Sequence, residues 1–125
     1  MAFIFTMIKK YRIKKNEEFS SIIAKRRSRT GESFVLYLSP RREEYSRIGI
    51  SVSRKLGNAV VRNRVKRQIR MMIANFYDFN GSDRDIIIIA RNRFLNKSFE
   101  DNQRELEKLI KSYIIIQYGR GDQNE

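Results

Sequence analysis

Apolar residues recur along this chain with two different periods, and the switches between them mark out its elements. Val61, Val65, Ile69, Met72, Ile73 and Phe76 fall three and four apart, which places them on one face of a helix over about 59–77. Asn58 after Gly57 supplies an N-cap and a sharp entry. Arg47 to Ser53 alternates instead, Ile48, Ile50 and Val52 against Arg47, Gly49, Ser51 and Ser53. This predicts a half-buried strand whose outer face is small and polar, with room for a ligand chain close to the sheet. Ser33 to Ser39, ended by Pro40, reads as another strand, with Phe34, Leu36 and Leu38 on one side and Val35 and Tyr37 on the other. Four successive isoleucines within Asp85 to Arg91 predict a strand covered on both faces.

Helices are expected at both ends of this series. Asn16 is a suitable N-cap, Glu17 and Glu18 complement the dipole of a first turn, and Phe19, Ile22 and Ile23 give an apolar face to a helix ending near Ala24. The basic run Lys25 to Gly31 reads as a loop, and Arg41 to Tyr45 as a charged turn. Ser98 with Asp101 makes a capping-box-like start for a last helix. Phe99, Leu106, Leu109, Ile110 and Tyr113 line its buried side, while Arg104, Glu105, Glu107, Lys108 and Lys111 mix both signs outside. The order is helix, strands, helix, strand, helix. It predicts an α+β fold, a compact two-layer sandwich on a small, mostly antiparallel sheet. Residues 1–10 read as a flexible extension in which Met7 is another candidate initiator, 11–116 as a single domain, and 117–125 as a disordered tail.

Charge changes the picture most around the central helix. Arg54, Lys55, Arg62, Arg64, Lys66, Arg67 and Arg70 crowd that helix and its entrance, and no carboxylate occurs between Glu44 and Asp78. Such cations repel one another and destabilise an isolated helix, and an ordinary solvated face mixes signs, so this surface implies a polyanionic partner. The net charge of +13 over 125 residues agrees. An anionic membrane is the poorer match, because the apolar face of the helix lacks Trp and is needed for the core. With no cysteine and no histidine, disulfides, thiolate sites and the commonest general base are all excluded, and no stretch is long enough to span a bilayer.

The run Ser51 to Arg70, with Arg62-Asn63-Arg64 at its centre, resembles the arginine-asparagine-arginine signature of the bacterial ribonuclease P protein subunit. The likeness extends to Arg12-Ile-Lys-Lys-Asn-Glu-Glu-Phe19, to Phe34-Val-Leu-Tyr37 and to Asp85-Ile-Ile-Ile-Ile-Ala-Arg91, in the family's order and at similar gaps. The resemblance implies a strand–helix–strand crossover of left-handed sense around the basic helix, against the general right-handed rule. It implies a cytoplasmic subunit of the holoenzyme that removes the 5′ leader from precursor tRNA, with catalysis and Mg2+ on the RNA subunit. Its partners would be ribonuclease P RNA and precursor tRNA, with neither DNA nor membrane. The residues that match the family's RNA-facing helix and its entry are Arg54, Lys55, Asn58, Arg62, Asn63, Arg64, Lys66, Arg67 and Arg70. Phe19, Ile23, Tyr37 and Ser51 fall where the family has a cleft for the single-stranded leader, with Ile23 standing where many relatives carry a second aromatic.

Arginine forks bind phosphate bidentately with little regard to sequence, and Phe19 and Tyr37 offer faces for unpaired bases, although the same two residues serve equally as plain core. Two other readings compete. One is a ribosomal or general RNA-binding protein using the same helix. The other is a stand-alone magnesium nuclease built on Asp83 and Asp85, against which a solvated turn ahead of a buried strand accounts for the pair without chemistry.

Overall fold

A computed structural model describes residues 9–124, with side chains through Ser112. Met1 to Thr6, Met7 and most of the expected flexible extension lie outside the described residues, as does the side chain of Tyr113. Three helices, α1 (Asn16–Ala24), α2 (Ala59–Phe76) and α3 (Phe99–Asn124), accompany four strands, β1 (Ser28–Thr30), β2 (Phe34–Pro40), β3 (Ile48–Val52) and β4 (Arg84–Ala90). The sheet runs β1-β2-β4-β3, antiparallel except for the β3–β4 pair. That parallel pair, joined through α2, is the expected strand–helix–strand unit.

The register sorts the side chains into two populations. Leu36 pairs with Ile88 and Leu38 with Ile86 across β2–β4, and Ile48 and Ile50 pair with the same two isoleucines across β3–β4. These residues share one face, where they join Val65, Ile69, Met72 and Ile73 of α2 and Leu106 and Ile110 of α3 in the principal core. Tyr37 pairs with Ile87 and Val35 with Ile89, while Gly49 and Ser51 pair with those isoleucines on the far side. On that opposite face Ile13, Ile22 and Ile87 form a second, smaller core under α1. The sheet is therefore a middle layer with helices on both faces, not one of two layers. The four isoleucines of β4 are divided between the two cores by the period-two alternation.

Local signals decide most boundaries. Asn58 Oδ1 accepts from the Val61 N–H at 3.0 Å, capping α2, and Gly57 before it has φ 150°, a conformation that other residues rarely adopt. Ser98 Oγ accepts from Asp101 N–H at 3.1 Å at the start of α3. At α1 the N-cap is Lys15, one residue earlier than Asn16, and it makes no side-chain cap bond. The basic run read as a loop contains β1, whose Ser28, Arg29 and Thr30 pair with Tyr37, Leu36 and Val35. Three polar residues carry no periodic signal, and only the established edge of β2 gives them a partner. The stretch from Gly119 continues the backbone of α3 as far as Asn124, because extending a formed helix adds one hydrogen bond for each residue fixed.

At the far end of the sheet an aromatic group pins the N-terminal segment. Tyr11 stacks on Phe79 with centroids 4.2 Å apart and meets Tyr45 edge-on at 5.3 Å, while Phe79 meets Tyr77 edge-on at 4.9 Å.

Candidate nucleic-acid interface

The apolar stripe of α2 points into the principal core, which forces its cations outward. Arg54, Lys55, Asn58, Asn63, Arg64 and Arg67 are exposed, and Arg62, Lys66 and Arg70 are half-buried along the borders of the stripe. Asn58 is occupied as the cap of α2, so it shapes the entrance while its exposed amide faces out. Among the described residues none of the seven cations is ion-paired within the chain. Arg62 and Arg70 each bury Nε without an acceptor among the described residues. Burial, and after it the charge of Arg12, lowers the pKa of Arg70 below the usual arginine value.

Helix α3 is the internal contrast. Its Glu105 accepts from Lys97 at 3.3 Å, and Lys97 lies 2.8 Å from Glu32. Arg104 pairs with Asp101, and Lys111 with Glu107. Glu105 also accepts the backbone N–H of Ser33 at 2.8 Å, tying α3 to the loop before β2. Among the described residues most charges of α3 are ion-paired within the fold, whereas the cations of α2 and its entrance are not.

The second group of sequence-assigned residues converges on the opposite side of the sheet. Phe19, Ile23 and Tyr37 pack together against Ile13, Ile22 and Ile87, all three half-buried. Neither core nor free surface describes Phe19 and Tyr37; each is anchored on one side and accessible on the other. Ser51 shares their sheet face, paired with Ile89, two strands and one two-residue repeat from Tyr37. That separation is about 12 Å from strand spacing and rise. The outer face of β3 is less open than its alternation suggests, because the Phe19 ring covers Gly49; a Cβ there would stand 2.6 Å from Phe19 Cζ. Glycine lets α1 lie directly on the strand.

What holds α1 in that place is a group that periodicity did not reveal. Arg47, only 12% exposed, donates Nη2 to Glu18 Oε2 at 2.5 Å and to Asp85 Oδ2 at 3.2 Å, and its backbone N–H reaches Asp85 Oδ1 at 2.9 Å. Asp85 is 1% exposed. The hydrogen bond from Arg47, with the charges of Arg47, Arg42 and Lys15 behind it, holds the Glu18 carboxyl below the usual carboxylate range against the opposing effect of burial. Glu18 is thus more than the start of a helix, and Asp85 lies in no solvated turn. Its oxygens are taken by Arg47, so the Asp83–Asp85 pair offers no free carboxylate couple to a metal. The available signal was electrostatic, since an arginine and an aspartate at the starts of neighbouring strands are usable only if they meet.

The family model described as Ribonuclease P matches residues 7–114. Among curated relatives, the ribonuclease P protein component of Mesoplasma florum is 50% identical over 103 residues, covering 82% of this chain and 94% of its own. That of Bacillus cereus is 44% identical over 106 residues, covering 84% and 92%. Among solved structures, a Staphylococcus aureus ribonuclease P protein mutant aligns with a TM-score of 0.75 at 40% identity over 84% of this chain and 89% of that one. The Thermotoga maritima protein aligns with a TM-score of 0.70 at 29% identity over 81% and 96%. An unanswered cationic helix, a half-buried aromatic cluster on the opposite sheet face and these likenesses lead to one assignment: the chain belongs to the ribonuclease P protein family, as the protein subunit of the holoenzyme that processes the 5′ ends of tRNA.

Proposed function

We propose that the outer flank of α2 and its entrance, through Arg54, Lys55, Asn58, Arg62, Asn63, Arg64, Lys66, Arg67 and Arg70, lies on the ribonuclease P RNA. The groove between α1 and the sheet, formed by Phe19, Ile23, Tyr37 and Ser51, receives the unpaired 5′ leader of precursor tRNA. The observation that carries this reading is the asymmetry between helices: among the described residues most charges of α3 are ion-paired within the fold, and none of the cations of α2 and its entrance is. A cationic array of this kind binds phosphates through counterion release, without sequence preference, as a subunit serving many precursors requires. The half-exposed rings of Phe19 and Tyr37 give unpaired bases an apolar surface worth ~1–3 kcal/mol per stacked base.

The bond-breaking step belongs to the RNA subunit and the Mg2+ it holds. This chain supplies orientation and charge neutralisation in the cytoplasm, with no role for DNA. These residues assist by bringing leader and RNA into register.

Leader removal by ribonuclease P RNA at low magnesium, with and without this protein, tests the role as a whole: absence of stimulation overturns it. Arg62→Ala and Arg67→Ala should each flatten the log–log salt dependence of RNA binding by about one unit per lost phosphate contact. Tyr37→Ala should weaken precursor binding more than mature tRNA binding; equal losses would remove Tyr37 from the leader path.

A further inference from the structure

The segment before α1 behaves as an additional strand on the outer edge of β3. Ile13 N–H donates to the Ile48 carbonyl at 3.0 Å, and Arg12 bridges Ile48 in parallel register. Extended alternation then separates its side chains, Ile13 entering the small core under α1 and Arg12 and Lys14 falling on the α2 side. There they meet Arg70. Arg12, Lys14 and Arg70, with Ile13, Ile48 and Ile50, line a cleft of about 270 Å³ that contains no carboxylate.

We propose that this cleft is a phosphodiester-binding notch, in which Arg12, Lys14 and Arg70 grip one backbone phosphate of RNA while Ile48 and Ile50 support its sugar. The volume falls just below the ~300–1,000 Å³ usual for small-molecule pockets, and suits a phosphate with its ribose better than a stack of bases. Arg70, half-buried at the wall of the cleft, has its Nε buried and without an acceptor among the described residues, so the protein leaves this guanidinium incompletely satisfied. Arg70 also feels burial and the charge of Arg12, and the negative charge of an entering anion would offset both. The notch lies where the cationic flank of α2 reaches the β3 edge, one side of the sheet away from Ser51. It thereby extends the RNA surface beyond α2 to residues of the N-terminal segment. The inference rests on the reading of α2 as an RNA-binding helix.

The phosphate belongs either to the ribonuclease P RNA or to the leader, and two measurements on the full-length protein separate the sources. Arg12→Gln, Lys14→Gln and the double variant are tested for affinity to ribonuclease P RNA across salt, and the reconstituted holoenzymes for affinity to precursors with successively longer leaders. A phosphate from the RNA subunit predicts a log–log slope shallower by about one unit, so that raising salt fourfold costs the variants about 3.5-fold less affinity than the parent. A phosphate from the leader leaves that slope unchanged and abolishes the gain in affinity at one particular leader length. Arg12→Lys should retain most of either effect, whereas lost packing would not be rescued by charge. If neither measurement moves in the double variant while Arg67→Ala still flattens the slope, the notch is refuted and the role of α2 stands. If Arg67→Ala is also silent, the underlying reading fails first.

Discussion

Replacing Arg47 by methionine isolates the device that fastens α1 to the sheet. Methionine keeps an apolar stem like that of arginine and the backbone N–H that Asp85 Oδ1 accepts, but removes the guanidinium from between Asp85 and Glu18. Asp85, 1% exposed, is then a buried carboxylate without its countercharge, which costs about 3–5 kcal/mol. Glu18 sits nearer the surface and keeps Arg42 at 3.7 Å, so its share is about 1 kcal/mol or less. Against a total stability of ~5–15 kcal/mol this is a large fraction, and at about 4 °C per kcal/mol it lowers Tm by about 12–20 °C. Urea and thermal unfolding of Arg47→Met, Asp85→Asn and the double variant measure it as a cycle. Because the burden is the stranded charge, Asp85→Asn placed on Arg47→Met should restore most of the loss. A single variant that loses under about 1 kcal/mol, or a double variant no better than the single, would refute the argument. The acid side reports the same contact. The folded-state pKa of Glu18 lies below its unfolded value, so its contribution is complete at neutral pH and disappears as pH falls through and below the ordinary value of 4.5. Glu18→Gln should remove that part of the acid slope.

Gly49→Ala places a methyl 2.6 Å from Phe19 Cζ and 2.8 Å from Ile87 Cδ1. It should cost ~1–3 kcal/mol in unfolding experiments and weaken precursor binding more than binding to the RNA subunit, since it lifts α1 and leaves α2 untouched; equal effects on both would show that α1 does not form the groove. Burial holds the Tyr77 phenol above its usual 10, partly offset by its 2.6 Å hydrogen bond with Ser46. That stabilisation is intact below pH 10 and declines as pH rises through the folded-state pKa, so Tyr77→Phe should flatten the alkaline limb of the stability curve, and an unaltered limb would contradict it. Ser46 keeps the Arg84 carbonyl as acceptor, which limits the cost of Tyr77→Phe at neutral pH to about 1 kcal/mol.

The sequence by itself determined every element whose residues repeat with a physical period. The stripe of α2, the alternation of β2 and β3 and the doubly covered isoleucines of β4 are properties of spacing, and Asn58 and Ser98 cap the helices that their side chains suit. The cationic flank was legible for the same reason: once one side of α2 is committed to the core, seven uncompensated charges have only solvent or a ligand to face. Tertiary structure alone decided what depends on meetings between distant residues. Strand β1 exists because β2 offers it an edge, and the Glu18–Arg47–Asp85 contact brings together residues up to 67 positions apart. Tyr11 on Phe79, and the cleft shared by Arg12 and Arg70, are of the same kind. Periodicity records which way a side chain points relative to its own backbone. The partner it finds there is chosen by how the layers stack, which single positions do not encode.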